Sequence, residues 1–115
     1  MLLLAIVLFL AAAVCGIVML IAILQDKAPN KIAKILHGIF AATGLIILIV
    51  YLFSFMSGRS SLLIASVVLL CLAALGGLTL FSMDRKGKKI PKMVAIVHPI
   101  IAFAGLVVLI IYVLP

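Results

Sequence analysis

The sequence predicts an all-α integral membrane protein, a four-helix bundle built from two tandem parallel helical hairpins with pseudo-two-fold symmetry. Three observations support this prediction. Of the 115 residues, 70% are apolar and only 10% are charged, whereas soluble domains are nearer to ~45–50% apolar. The apolar residues fall into four long runs, and the second half of the chain repeats the first without a gap.

Each apolar run is close to the ~20 residues that a helix needs to cross a ~30 Å hydrocarbon core. Short polar segments separate the runs: the first begins at Gln25, the second at Ser57 and the third at Asp84. Such short connections make consecutive helices antiparallel neighbours. The predicted spans are residues 2–24, 32–56, 62–83 and 90–114.

The basic residues lie almost entirely on one side of the predicted bundle. Arg59 is the exception, and the other eight flank the first and third connections: Lys27, Lys31, Lys34, Arg85, Lys86, Lys88, Lys89 and Lys92. The positive-inside rule predicts that this side is cytoplasmic and that both termini lie outside, as in a bacterial inner membrane. The net charge of +7 therefore indicates topology and contact with anionic lipid. Nucleic acid is not an expected partner, because no soluble domain presents a basic face.

The repeat relates the two halves of the chain position by position. Residues 1–54 align with 62–115 without a gap, and 17 of these 54 pairs are identical, where chance would give roughly six in so apolar a chain. The predicted units are therefore a first hairpin, 1–61, and a second, 62–115, within one membrane domain. The matching pairs include His37/His98, Tyr51/Tyr112, Gly16/Gly77, Gly44/Gly105, Lys27/Lys88 and Lys31/Lys92.

His37 and His98 are the only histidines, and the repeat places them at equal depth. An even number of crossings makes the two hairpins parallel, related by an axis along the membrane normal. The second and fourth helices are then diagonal neighbours, on the order of 12–14 Å apart. An ionisable side chain at this depth is a functional hypothesis by default.

Small residues surround the predicted histidine pair. Gly44 and Gly105 follow the histidines by seven positions on the same seam, and Gly16 and Gly77 lie at comparable depth on the first and third helices. Small side chains either let helices pack closely or leave a slot for a flat ligand. A haem would fill such a slot with imidazoles on both faces of its iron, and Lys31, Lys34 and Lys92 are placed to hold its propionates.

With these residues the chain resembles the transmembrane b-type cytochromes, four-helix bundles that bind haem b between histidines of different helices and exchange electrons with quinones. The resemblance rests on His37, His98, Gly44 and Gly105 and on the bundle architecture. It implies one bis-histidine haem b, a role in electron transfer or as a haem-bearing subunit of a redox complex, and a quinone or redox protein as partner. Homo- or hetero-oligomers are compatible with it.

Other functions remain open. The histidines could hydrogen-bond between helices in a haem-free structural or assembly subunit, bind a transition metal, or relay protons in a small proton-coupled transporter. Four-span multidrug exporters use a membrane-embedded Glu, and this chain has no Glu. Whether the protein is an enzyme is undecided, since no hydrolytic triad, nucleotide-binding loop or activated nucleophile is recognisable.

The cysteines and aspartates suggest no site. Cys15 and Cys71 are not equivalent in the repeat and are interpreted as small packing residues. Asp26 and Asp84 lie in basic loops and are expected to be solvated loop charges.

Overall fold

The computed structural model describes residues 2–55 and 61–114, which form four α-helices. These bounds differ from the predicted spans by at most two positions at either end. An all-helical bundle with four potential membrane spans is therefore confirmed. The helices are α1 (Leu2–Leu24), α2 (Lys31–Phe55), α3 (Ser61–Arg85) and α4 (Lys92–Val113).

The surface of the bundle is apolar over most of its length. In the most apolar stretch of each helix, no more than 22% of the residues are buried inside the protein. Apolar surface of this extent is unfavourable in water. The bundle is 46 Å long, which exceeds the ~30 Å of a hydrocarbon core. These properties are those of an integral membrane protein.

The helices pack in the order of the chain around a closed ring. α1 contacts α2 and α4, and α3 contacts α2 and α4. Within the described residues, no Cα atom of α2 comes within 8 Å of one in α4. The two histidine-bearing helices are therefore diagonal partners, as short antiparallel connections require.

The apolar core lies at the end of the bundle that carries the termini. Its large side chains come from the starts of α1 and α3 and the ends of α2 and α4, where leucines interdigitate. Ser66 is also fully buried there, and its Oγ donates a 3.0 Å hydrogen bond to the carbonyl of Gly105. The core consists of Leu2, Ala5, Ile6, Phe9, Leu48, Leu52, Leu63, Leu70, Leu106 and Leu109.

The two turns at the basic end have the same geometry. α1 ends before Asp26 and α3 before Gly87, and these residues have positive φ angles of 58° and 71°. A residue in this left-handed conformation lets the following amide reach back to the last turn of the helix. Asp26 and Gly87 occupy equivalent positions when the two halves of the chain are aligned. The closing hydrogen bonds are Lys27 N to Ala22 O, 2.8 Å, and Lys88 N to Met83 O, 3.0 Å.

The helices that follow these turns begin differently. Asn30 caps α2, because its Oδ1 accepts hydrogen bonds from the amides of Ile32 and Ala33 at 2.9 and 3.1 Å, donors that a helix start otherwise leaves unpaired. Pro91 precedes α4 and supplies no side-chain cap. Further along α4, Pro99 follows His98 and removes the backbone donor that would pair with the carbonyl of Ala95.

Candidate functional site

The rings of His37 and His98 meet inside the half of the bundle nearest the basic loops. Their centroids are 6.1 Å apart, and the ring planes are inclined by 82°. Both residues are half-buried. Because α2 and α4 are diagonal, the side chains rather than the backbones bridge the bundle. The structure thus brings together the two histidines that the sequence analysis singled out.

The hydrogen-bond partner of one His37 ring nitrogen shows which nitrogen carries the proton. Nδ1 lies 2.8 Å from the carbonyl oxygen of Ala12 on α1. Because a carbonyl can only accept, Nδ1 carries the proton and donates. In the neutral ring the lone pair then belongs to Nε2. His37 therefore has a fixed ring orientation and one nitrogen available as a ligand or proton acceptor.

His98 has a similar setting that lacks the hydrogen bond. The backbone of Ala73 on α3 lies beside this ring, and Ala73 precedes His98 by the same number of positions as Ala12 precedes His37. The Nδ1 atom of His98 is buried and makes no hydrogen bond with a described residue. A buried polar atom without a partner is costly, so this ring is the less satisfied of the two.

Glycines on α1 and α3 allow the rings to pack against the backbone. A Cβ atom at Gly16 would lie 3.2 Å from Cε1 of His37, and one at Gly77 would lie 3.2 Å from Cε1 of His98. Both distances are shorter than ordinary van der Waals contact. Neither ring could keep its position if these glycines were replaced by larger residues.

Gly44 and Gly105 lie further from the rings and contact core side chains. A Cβ atom at Gly44 would lie 3.1 Å from the ring of Phe9, and one at Gly105 would lie 2.9 Å from Cγ of Leu70. Phe9 and Leu70 are themselves equivalent in the alignment of the two halves. At all four glycines, side chains of the protein fill the adjacent space, which corresponds to close helix packing.

The lysines expected near the histidines have different surroundings. Lys34 is paired with Asp84, and the side chains are only 28% and 22% exposed. Lys92 lies 3.4 Å from a carboxylate oxygen of Asp26, and this pair is more exposed. Lys31 is exposed and has no ion-pair partner among the described residues.

Asp84 departs from the expectation that both aspartates are solvated loop charges, whereas Asp26 is exposed, as expected. Asp84 lies within the last turn of α3 and is largely covered. Each pair joins one hairpin to the other, since Asp26 and Lys34 belong to the first hairpin and Asp84 and Lys92 to the second. The repeat could not reveal this, because neither aspartate has an acidic counterpart at the equivalent position of the other hairpin.

The donor set limits what the site can bind. Among residues 2–55 and 61–114, no group of three or more His, Cys, Asp or Glu side chains could hold a metal ion. Cys15 and Cys71 are free thiols. The available groups are two imidazoles, which could bind a metal that brings its other ligands, share a proton, or hydrogen-bond between helices.

Comparisons with known proteins gave no match: no family model, no curated protein and no solved structure is significantly similar to this chain.

Proposed function

We propose that this protein is a small membrane b-type cytochrome that binds one haem b between His37 and His98. The supporting observation is the 6.1 Å between the ring centroids. An imidazole nitrogen binds a metal at roughly 2 Å and lies about 1 Å from its ring centroid, so two rings that share one metal have centroids about 6 Å apart. The observed separation fits that requirement.

The donor set favours haem over a bare metal ion. An ion held by two imidazoles needs further ligands, and no third His, Cys, Asp or Glu joins them among the described residues. Haem iron already has four ligands in the macrocycle and needs only two axial ones. The small number of protein ligands is therefore a limitation for an ion and not for haem.

The backbone also prepares His37 for ligation. Histidines that bind metals usually donate their second ring N–H to a carboxylate or carbonyl, which fixes the tautomer and the ring orientation. The 2.8 Å hydrogen bond from Nδ1 to Ala12 has this form. His98 lies beside the backbone of Ala73, the residue equivalent to Ala12, and the carbonyl of Ala73 would accept the corresponding hydrogen bond from the ligating ring.

Bound haem would supply one-electron redox chemistry. The residues of α1 and α3 that contact the rings include Ala12, Gly16, Ala73 and Gly77, which are all small, and the imidazoles fill the space beside both glycines. Of the three lysines proposed for the propionates, Lys31 has no carboxylate partner among the described residues. Lys34 and Lys92 would have to leave their aspartate partners to bind a propionate.

We further propose that the two hairpins are duplicates related by a pseudo-two-fold axis. Three structural features that recur at equivalent positions of the two halves support this: the left-handed turns at Asp26 and Gly87, the histidine contacts of Gly16 and Gly77, and the contacts of Gly44 and Gly105 with Phe9 and Leu70. Duplicated hairpins place the basic loops on one side, which the positive-inside rule makes cytoplasmic in a bacterial inner membrane. Arg59, the cation predicted on the other side, lies outside the described residues.

The absorption spectrum of the purified protein tests the haem proposal. Protein produced with ample haem should show a Soret band, and its reduced spectrum should indicate low-spin iron with two imidazole ligands. Protein that stays colourless after haem is added to the solubilised bundle would contradict the proposal. If the protein does bind haem, its redox partner should be a quinone or a redox protein.

A second candidate is a haem-free structural or assembly subunit, or a small proton-coupled transporter that uses the histidine pair. The hydrogen bond from His37 to Ala12 favours it, because this bond already joins α2 to α1 without any ligand. The discriminating measurement is the oligomeric state or proton flux of haem-free protein between about pH 5 and 8, where histidine ordinarily titrates. A dependence on pH that is lost in both histidine variants would support this candidate.

A further inference from the structure

One face at the end of α3 combines an apolar wall with unpaired positive charge. The wall consists of Leu78 and Phe81, which are 63% and 45% exposed. Arg85 lies one helical turn after Phe81, and Lys86 follows it just beyond the end of the helix, at the level of the basic loops. Together with Ser82 these residues line a groove of about 560 Å³.

The two cations of this groove differ from the lysines nearer the histidines. Lys34 and Lys92 are neutralised by Asp84 and Asp26. Neither Arg85 nor Lys86 forms an ion pair with any residue of the described ranges. Both aspartates of the chain are already engaged, so the protein offers no further aspartate or glutamate to balance this charge.

We infer that this groove binds an anionic phospholipid, with the phosphodiester between Arg85 and Lys86 and an acyl chain along Phe81 and Leu78. The groove runs along the helix from apolar to basic, the order in which a lipid presents its tail and its headgroup. Arginine suits the planar recognition of phosphate oxygens. Ser82 lies between the two regions and offers a hydroxyl at the level of the lipid glycerol.

An anionic lipid accounts for both parts of the groove. A soluble phosphate compound would use Arg85 and Lys86 and leave Phe81 and Leu78 uncovered. A zwitterionic lipid would cover the apolar wall and leave the charge of the two cations only partly balanced. Because this inference uses none of the residues proposed to bind haem, it is independent of the haem proposal.

Native mass spectrometry of the full chain in detergent micelles can test the inference. Phosphatidylglycerol and phosphatidylcholine with identical acyl chains are titrated separately, and the dissociation constant (Kd) of the first bound lipid is measured. One cation near an anionic headgroup contributes about fivefold in affinity. The double variant R85Q/K86Q should therefore raise the Kd for phosphatidylglycerol about 25-fold and leave the Kd for phosphatidylcholine nearly unchanged.

The matched control is K88Q/K89Q, which removes the same charge from the loop beyond Gly87. Its Kd for phosphatidylglycerol should rise less than twofold. Equal losses in the two double variants, or a wild type that does not prefer phosphatidylglycerol, would overturn the inference. If R85Q/K86Q loses helicity, the single variant Lys86→Gln, just beyond the end of α3, should still raise the Kd about fivefold, and no change would overturn the inference.

Discussion

The rings of His37 and His98 meet with 6.1 Å between their centroids and with their planes inclined by 82°, although no described Cα atoms of their helices come within 8 Å of each other. This separation is the one that a metal shared by two imidazoles requires, and it is also the separation of a favourable aromatic pair. Ligation and simple packing therefore make different predictions for substitutions at these positions.

Replacing His37 or His98 by Gln tests ligation directly. Glutamine keeps a hydrogen-bonding group and much of the volume but is not an axial haem ligand. Each variant should lose bis-histidine haem and its low-spin spectrum while remaining helical, as measured by absorption and circular dichroism. Ile39→Ala and Phe103→Ala, at exposed positions of the same helices, should keep the wild-type spectrum. Full haem retention in both Gln variants would exclude these residues as ligands.

Gly77→Ala should disturb the histidine site, whereas the adjacent Gly76→Ala should not. The added methyl group at position 77 would lie 3.2 Å from Cε1 of His98, and the one at position 76 would make an ordinary contact of 3.5 Å with Nδ1. Gly77→Ala should therefore shift the haem spectrum or lower haem occupancy. Gly76→Ala should keep both and gain helix stability, since alanine is favoured over glycine by roughly 0.5–1 kcal/mol. Identical spectra for the two variants would show that the ring moves freely.

Gly105→Ala should destabilise the bundle through the leucine core. The new methyl group would lie 2.9 Å from Cγ of the buried Leu70, and overpacking of this kind costs about 1–3 kcal/mol. The measurement is unfolding of the purified protein by increasing mole fraction of dodecyl sulfate. Gly38→Ala is the control, because nothing lies within 4 Å of its added methyl group. A loss of stability as large at position 38 would point to a general intolerance of alanine.

The two ion pairs between the hairpins should differ in strength. Asp84→Asn removes the charge from a largely covered pair with Lys34 and should cost about 1–2 kcal/mol. Asp26→Asn affects an exposed pair with Lys92 and should cost less than about 0.5 kcal/mol. Asparagine also tolerates the left-handed conformation at position 26. The same unfolding assay measures both variants. An equal loss of stability would show that burial of an ion pair does not affect its contribution here.

Several features of the fold followed from pattern alone. The four helices agree with the apolar runs because a backbone in lipid must satisfy its own hydrogen bonds, which makes a long apolar segment helical. The pairing of the histidines followed from the repeat period together with the short connections. Asp84 shows the limit of that approach: it has no acidic counterpart in the repeat, so nothing in the pattern indicated its pairing with Lys34.

The sequence by itself therefore determined that this protein has four helices long and apolar enough to span a membrane, and it singled out the two histidines that meet between them, because hydropathy and period act along the chain. Only the tertiary structure decided that Nδ1 of His37 donates a hydrogen bond to the carbonyl of Ala12. It also decided that Phe9 packs against Gly44 and Leu70 against Gly105, and that ion pairs connect the two hairpins. These depend on how far each helix is rotated and displaced against its neighbours. Contacts a few ångströms long set that rotation, and no periodicity in the sequence encodes them.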